Sequence, residues 1–182
     1  MHKLLMTPLL LISACIISGI YGVIHNQISY TVSPGYFHEF KFVQFHIPAA
    51  EQNRLGASIV GFFASWWMGL IIGVILVPFS LWAKDVKSYF LVSIKSYGVV
   101  AITAFIVGIT ALLISFLLVD PETIKPIQIF RKTISDPVSF TYAGTMHNFS
   151  YLGGIIGIVT GAIFILRHNK RPNQSLHGSG PQ

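Results

Sequence analysis

His147-Asn148-Phe149-Ser150-Tyr151-Leu152-Gly153-Gly154-Ile155-Ile156-Gly157-Ile158-Val159-Thr160-Gly161 places a polar cluster directly against a glycine-striped apolar run. The glycines at 153, 157 and 161 recur about once per helical turn. They form a smooth stripe on which a neighbouring helix backbone can approach closely within lipid. This segment is the last of a series, since residues 4–24, 62–81, 97–119 and 148–166 are each apolar over roughly the 20 residues that cross a bilayer core.

Composition agrees with that reading. The chain of 182 residues is 53% hydrophobic and 10% charged, with mean hydropathy +0.67. An ordinary soluble domain carries about 25% charged residues. The expected fold is an all-α membrane bundle of four helices, at about 4–24, 57–81, 90–119 and 138–166. Outer loops at 25–56 and 120–137 would form a cap, and residues 1–167 a single domain. From 168 to 182 the chain turns polar and Gly/Pro/Ser-containing, which predicts a disordered tail.

A net charge of +6 and a pI near 9.6 raise the question of nucleic acid, but the cations are dispersed at segment ends and read as topology signals. One face carries Lys3, Lys84, Lys87, Lys95, Arg167, Lys170 and Arg171 against Asp85 alone. The other balances Lys41, Arg54, Lys125, Arg131 and Lys132 against Glu39, Glu51, Asp120, Glu122 and Asp136. Cytoplasmic loops hold the excess of Lys and Arg, so both termini are expected in the cytoplasm. The single cysteine, Cys15, excludes an intramolecular disulfide. Ile12-Ser13-Ala14-Cys15 resembles a lipoprotein processing box, but the apolar run continues to Ile24, beyond the roughly 7–15 residues of a signal-peptide core. A retained first helix is the favoured reading.

The small-residue stripes extend beyond the fourth segment. Ala57, Gly61, Ser65, Gly69 and Gly73 mark one face of the second helix, and Ala104, Gly108, Ala111 and Ser115 one face of the third. Gly61, Ser65, Gly69, Gly73, Gly108, Gly153, Gly157 and Gly161 are therefore expected at helix contacts. In the first outer loop, residues 28–32 and 40–42 alternate apolar and polar side chains around Ser33-Pro34-Gly35. That pattern allows a short hairpin. The aromatics Tyr30, Tyr36, Phe37, Phe40, Phe42 and Phe45 more simply line the membrane interface, where amphipathic rings are favoured. Asp120-Pro121 and Asp136-Pro137 both look like helix starts, with an Asp cap and Pro at the first helical position.

Candidate chemistry lies outside. His25 closes the first helix and His147 opens the fourth at the same level, so the two imidazoles are expected to converge, with Gln27, Tyr36, Asn148 and Tyr151 nearby as ligand-binding candidates. His25, Glu39 and His147 would be the ligands of a metal site, since imidazole and carboxylate suit transition metals. No His-x-x-x-His or cysteine spacing supports one. Haem between helices fails on depth, because no histidine lies within an apolar segment. Charges are absent from the segment cores, which removes the usual mark of an ion path. No Gly-x-Ser-x-Gly elbow, phosphate-binding loop or His-Glu-x-x-His occurs, and no catalytic residue is assigned.

Tyr21-Gly22 with His25 and Gln27, Tyr36-Phe37, Ser65-Trp66-Trp67 with Gly69, and His147-Asn148 with Ser150-Tyr151 and Gly153-Gly154 together resemble a family of uncharacterised bacterial four-helix integral membrane proteins. The resemblance spans residues 21–154. It implies a bacterial inner membrane and makes the outer His/Gln/Tyr cluster the functional candidate, while naming no reaction. An acidic residue often stands in that family where this chain has Asn26, and Glu where it has Gly35. Both departures remove carboxylates that a metal would use. The expected partners are the bilayer and a small ligand, a membrane protein or a second copy; the cofactor is unknown, with none required. The alternatives are a metal-dependent membrane enzyme or redox component using the outer histidines, and a structural subunit of a membrane complex.

Overall fold

The structure is a computed structural model that describes residues 3–170. Four long helices dominate it: the first at Lys3–Val32, the second at Arg54–Ser80, the third at Val86–Leu118 and the fourth at Pro137–Lys170. All four are long and apolar enough to cross a membrane. At 30 residues and 1.5 Å per residue the first is about 45 Å long, well beyond a hydrocarbon core of roughly 30 Å. The helix is thus longer than a crossing requires, and its Val32 end carries the polar side chains considered below.

Caps explain where the helices begin. The Asn53 side chain accepts from the Leu55 N–H, and Asp85 accepts from the Ser88 N–H at 2.7 Å. Asp136 accepts from the N–H groups of Val138 and Ser139, both at 3.1 Å, with Pro137 as the first helical residue. Each satisfies N–H groups that have no partner within the helix. Asp136→Ala should lower stability by about 1 kcal/mol. Hydrogen bonds from Ser139, then from the Val138 N–H, hold the Asp136 pKa below the ordinary carboxylate value. The contribution is thus complete above about pH 4 and is lost as pH falls through the depressed folded value. A pH series of unfolding midpoints for wild type and variant checks the sign.

The first helix packs most extensively along the second, and the third along the fourth, so the bundle consists of two antiparallel pairs laid against each other. The stripes face inward. A Cβ at Gly61 would fall on the carbonyl oxygen of Gly22, one at Gly69 on that of Ala14, and one at Gly73 within 2.9 Å of Leu11. On the other pair, a Cβ at Gly153 would lie 2.8 Å from the Ala104 Cα and one at Gly157 2.9 Å from Val100, while at Gly108 it would meet the Ser150 hydroxyl. Gly161 faces Leu76 and Val100 at 3.2 Å, where the pairs meet. The first helix supplies its own stripe, Ala14, Ser18 and Gly22, and Ser18 donates to the Ser65 carbonyl at 2.7 Å.

Several boundaries differ from expectation. The first helix continues through residues 28–32, so no hairpin forms there. Ser33 instead caps a second helical start, its hydroxyl accepting from the Tyr36 N–H at 3.1 Å, and Gly35 is right-handed helical (φ −59°, ψ −37°). Ser-Pro acts as cap and first helical residue, leading into a π-helical turn at Tyr36–Lys41. Tyr36, Phe37 and Phe42 are buried in an apolar cluster with Ala57, Val60, Phe140 and Ala143, not laid along the lipid interface. The only hairpin among the described residues joins Gln128–Ile129 to Lys132–Thr133 in the other connection. Its two-residue turn places Phe130 and Arg131 at φ 51° and 63°, the backbone of a type I′ turn.

Asp120-Pro121 opens a turn and no helix; Asp120 accepts from the Glu122 N–H instead. The second and third helices start at Arg54 and Val86, earlier than 57 and 90. Residues 168–170 belong to the fourth helix, and the rest of the expected tail lies outside the described residues.

Candidate functional site

The two long connections meet at one end of the bundle. Glu39 accepts from the Ser135 N–H at 3.0 Å, Ser33 and Ser139 share a hydrogen bond of 3.0 Å, and Tyr36 packs on Phe140. The start of the first helix, the end of the fourth and the short connection occupy the opposite end, where Lys3 donates to the Leu81 and Ala83 carbonyls.

Beneath the joined connections His25 and His147 meet. Their ring centroids lie 4.4 Å apart with planes at 74°, an edge-to-face contact. His25 is buried at 3% exposure. The fourth helix delivers Ser150, whose Oγ is 2.9 Å from His25 Nε2, and the first helix delivers Ser29, whose Oγ is 3.2 Å from His147 Nε2. Asn26 Oδ1 faces His25 Nδ1 at 3.4 Å, and its amide donates to the Ala57 carbonyl at 3.0 Å. Ser150 donates its hydroxyl to the Met146 carbonyl at 2.8 Å, which leaves its oxygen to accept from His25 Nε2–H. The ring is thereby tied to the fourth helix, while the neighbouring Asn26 ties the first helix to the second through Ala57.

Tyr36 forms the roof. Its ring stacks on His147 at 5.0 Å and 24°, and the π-helical turn, a backbone form frequent at functional sites, aims it there. Burial pushes the Tyr36 phenol pKa up. The Lys41 ammonium lies 4.3 Å from the Phe40 ring centroid and 5.7 Å from that of Tyr36, and burial lowers its pKa.

Other sequence candidates stand apart. Gln27 donates to the Arg54 carbonyl and to Ser58, on the seam between the first and second helices. Asn148 is exposed, pointing away from the pair. Tyr151 is 48% exposed at the edge of the bundle. Glu39 is engaged with Ser135, so the expected set of His25, Glu39 and His147 does not assemble; no group of three or more His, Cys, Asp or Glu that could hold a metal occurs among the described residues. His38 bonds with Tyr30, and His46 is exposed.

Below the histidines the bundle is not filled. A cavity of about 80 Å³ descends between the helix pairs, and at roughly 10–15 Å³ per water it has room for about half a dozen. The first helix lines it with Ala14, Ser18, Tyr21 and His25, the second with Ala64, Ser65 and Met68, the third with Tyr97, Val100 and Ala104, and the fourth with His147, Ser150, Tyr151 and Gly154. An apolar cluster around Leu10, Leu76, Val92 and Ile165 lies toward the terminal end. Tyr21, part of the Tyr21-Gly22 motif but not among the expected ligand-binding residues, and Tyr97 border the cavity with buried hydroxyls that have no hydrogen-bond partner among the described residues. Their positions in different helices carry no signal of convergence in the sequence. Neither a family model, nor a curated protein, nor a solved structure matches this chain.

Proposed function

We propose that this protein is a non-enzymatic, multi-pass membrane protein that binds a small ligand at the outer end of its bundle, beneath Tyr36 and against His25 and His147. The observation that carries the reading is the convergence of two imidazoles at 4.4 Å over a cavity that reaches into the helix bundle. Polar side chains at the head of the cavity, His25, Asn26 and Ser150 among them, can fix the orientation of a bound molecule, as in pre-formed ligand sites generally. The charge distribution supports an orientation with both termini in the cytoplasm, which makes the joined connections an extracytoplasmic cap. The resemblance to bacterial four-helix proteins supports a bacterial inner membrane.

A metal-dependent role is disfavoured because only two imidazoles meet and the nearest carboxylate candidate, Glu39, is bound elsewhere. A purely structural subunit is disfavoured because the glycine stripes are occupied by partners within the chain. Native mass spectrometry of the full chain, released from membranes in mild detergent, tests the proposal. Wild type should carry a small-molecule adduct, and His147→Ala should lose it while keeping its helical circular dichroism. An adduct-free wild type, or an adduct that His147→Ala retains, counts against ligand binding at this site.

A further inference from the structure

The cavity asks for more than the histidines at its head. Tyr97 is 2% exposed and borders the space at its deep end, yet among the described residues its hydroxyl has no hydrogen-bond partner, nor has the Tyr21 hydroxyl on the opposite helix pair. Leaving a buried donor unmade is costly, so such groups in a native interior point to an occupant that satisfies them. Gly154 marks where the space lies. A Cβ at Gly153 or Gly157 would strike the third helix, whereas at Gly154 it would meet nothing within 4 Å, and Gly154 borders the cavity. A side chain there would extend into the cavity.

Access and lining narrow the occupant. Tyr36, 5% exposed and stacked on His147, covers the head of the cavity. The first and fourth helices touch each other only sparsely, and the half-exposed Tyr151 lies on the cavity's edge facing outward between helix pairs. The way in is therefore lateral, from lipid, which selects neutral molecules of low polarity. Among the described residues no Asp, Glu, Lys or Arg borders the space, so an ion would find no counter-charge there, at high cost. Ser18 and Ser150 on the same wall already donate to backbone carbonyls, which leaves the two phenols as free donors among aliphatic neighbours such as Ile17, Ile72 and Val100, a match for an apolar ring carrying carbonyl acceptors.

We infer that the cavity is a lipid-fed binding site for a neutral carbonyl-bearing ring of the quinone type, its oxygens accepting hydrogen bonds from Tyr97 and Tyr21. This inference rests on the outer end being a ligand site and names the class of ligand. Duroquinone titrated into the full chain in lipid nanodiscs, measured by isothermal calorimetry against empty nanodiscs, is the test. Saturable binding at one site per chain is expected. Tyr97→Phe, which keeps the ring and removes the donor, weakens it about 2- to 10-fold, the range for one hydrogen bond. Gly154→Leu, which fills the space without touching the histidines, abolishes it, with circular dichroism and unfolding midpoint confirming that both variants fold. Absence of saturable binding overturns the inference, and so does binding that either substitution leaves unchanged. If wild type then still carries an adduct that His147→Ala loses, the outer site stands and only the ligand class is wrong.

Discussion

Gly61→Leu is expected to cost about 3 kcal/mol of stability, the upper end of the usual range for overpacking a filled interior. The reason is that the obstacle is backbone. A Cβ at Gly61 falls on the Gly22 carbonyl oxygen and lies 2.6 Å from its carbon and 3.0 Å from the Val23 nitrogen, so no rotamer change relieves it. The two helices must separate, and Ser18, which donates across the same seam to Ser65, loses its geometry. Gly98 is the control. A Cβ there meets nothing within 4 Å, so Gly98→Ala should be neutral or stabilising by up to about 1 kcal/mol from helix propensity. Equilibrium unfolding in mixed micelles titrated with dodecyl sulfate separates the two. A Gly61→Leu protein as stable as wild type contradicts the close backbone contact.

Tyr36→Ala is expected to destabilise by about 3–5 kcal/mol, the range for truncating a large buried ring to alanine. Tyr36 is 5% exposed and touches Phe37, Phe40, Phe140 and His147. The substitution also uncovers His147, which gives a readout distinct from stability. Diethyl pyrocarbonate should modify His147 slowly in wild type and rapidly in the variant, under conditions where both remain folded, as followed by peptide mass spectrometry. Equal rates would mean that Tyr36 does not shield the imidazole from water.

The bundle was legible in the sequence because lipid imposes simple demands. Four apolar runs of spanning length, and glycines one turn apart, leave few alternatives. The stripe from Gly153 to Gly161 predicts close packing, and its contacts with Ala104 and Val100 supply the reason. The matching stripe in the first helix, Ala14, Ser18 and Gly22, carries the same signal and was overlooked beside the more glycine-rich second helix. Convergence of His25 with His147 follows from two helix ends at one level, which hydropathy locates to within about a turn.

The connections were harder to read because local signals compete there. Ser33-Pro34-Gly35 fits a turn and a helix start equally by composition; burial of Tyr36 and Phe37 against Phe140 decides for the helix. Phe130-Arg131 offers no Asn-Gly signature, yet closing the two-residue loop between Ile129 and Lys132 places both residues at positive φ. Glu39 shows the limit of pairing by residue type. Its carboxylate suits a metal, but the π-helical turn carries it to the Ser135 N–H and places Tyr36 over the histidine instead. The cavity was beyond reach of sequence, since its unpaired phenols come from helices whose relative rotation no periodicity specifies.

The account depends most on the meeting of His25 and His147 beneath Tyr36. Solid-state NMR of histidine-labelled full chain in lipid bilayers measures it directly, with His25→Gln and His147→Gln assigning the signals. Ring centroids 4.4 Å apart predict a strong through-space correlation between the two imidazoles that vanishes in either variant. A folded, well-resolved sample in which the two rings show no correlation would contradict the account.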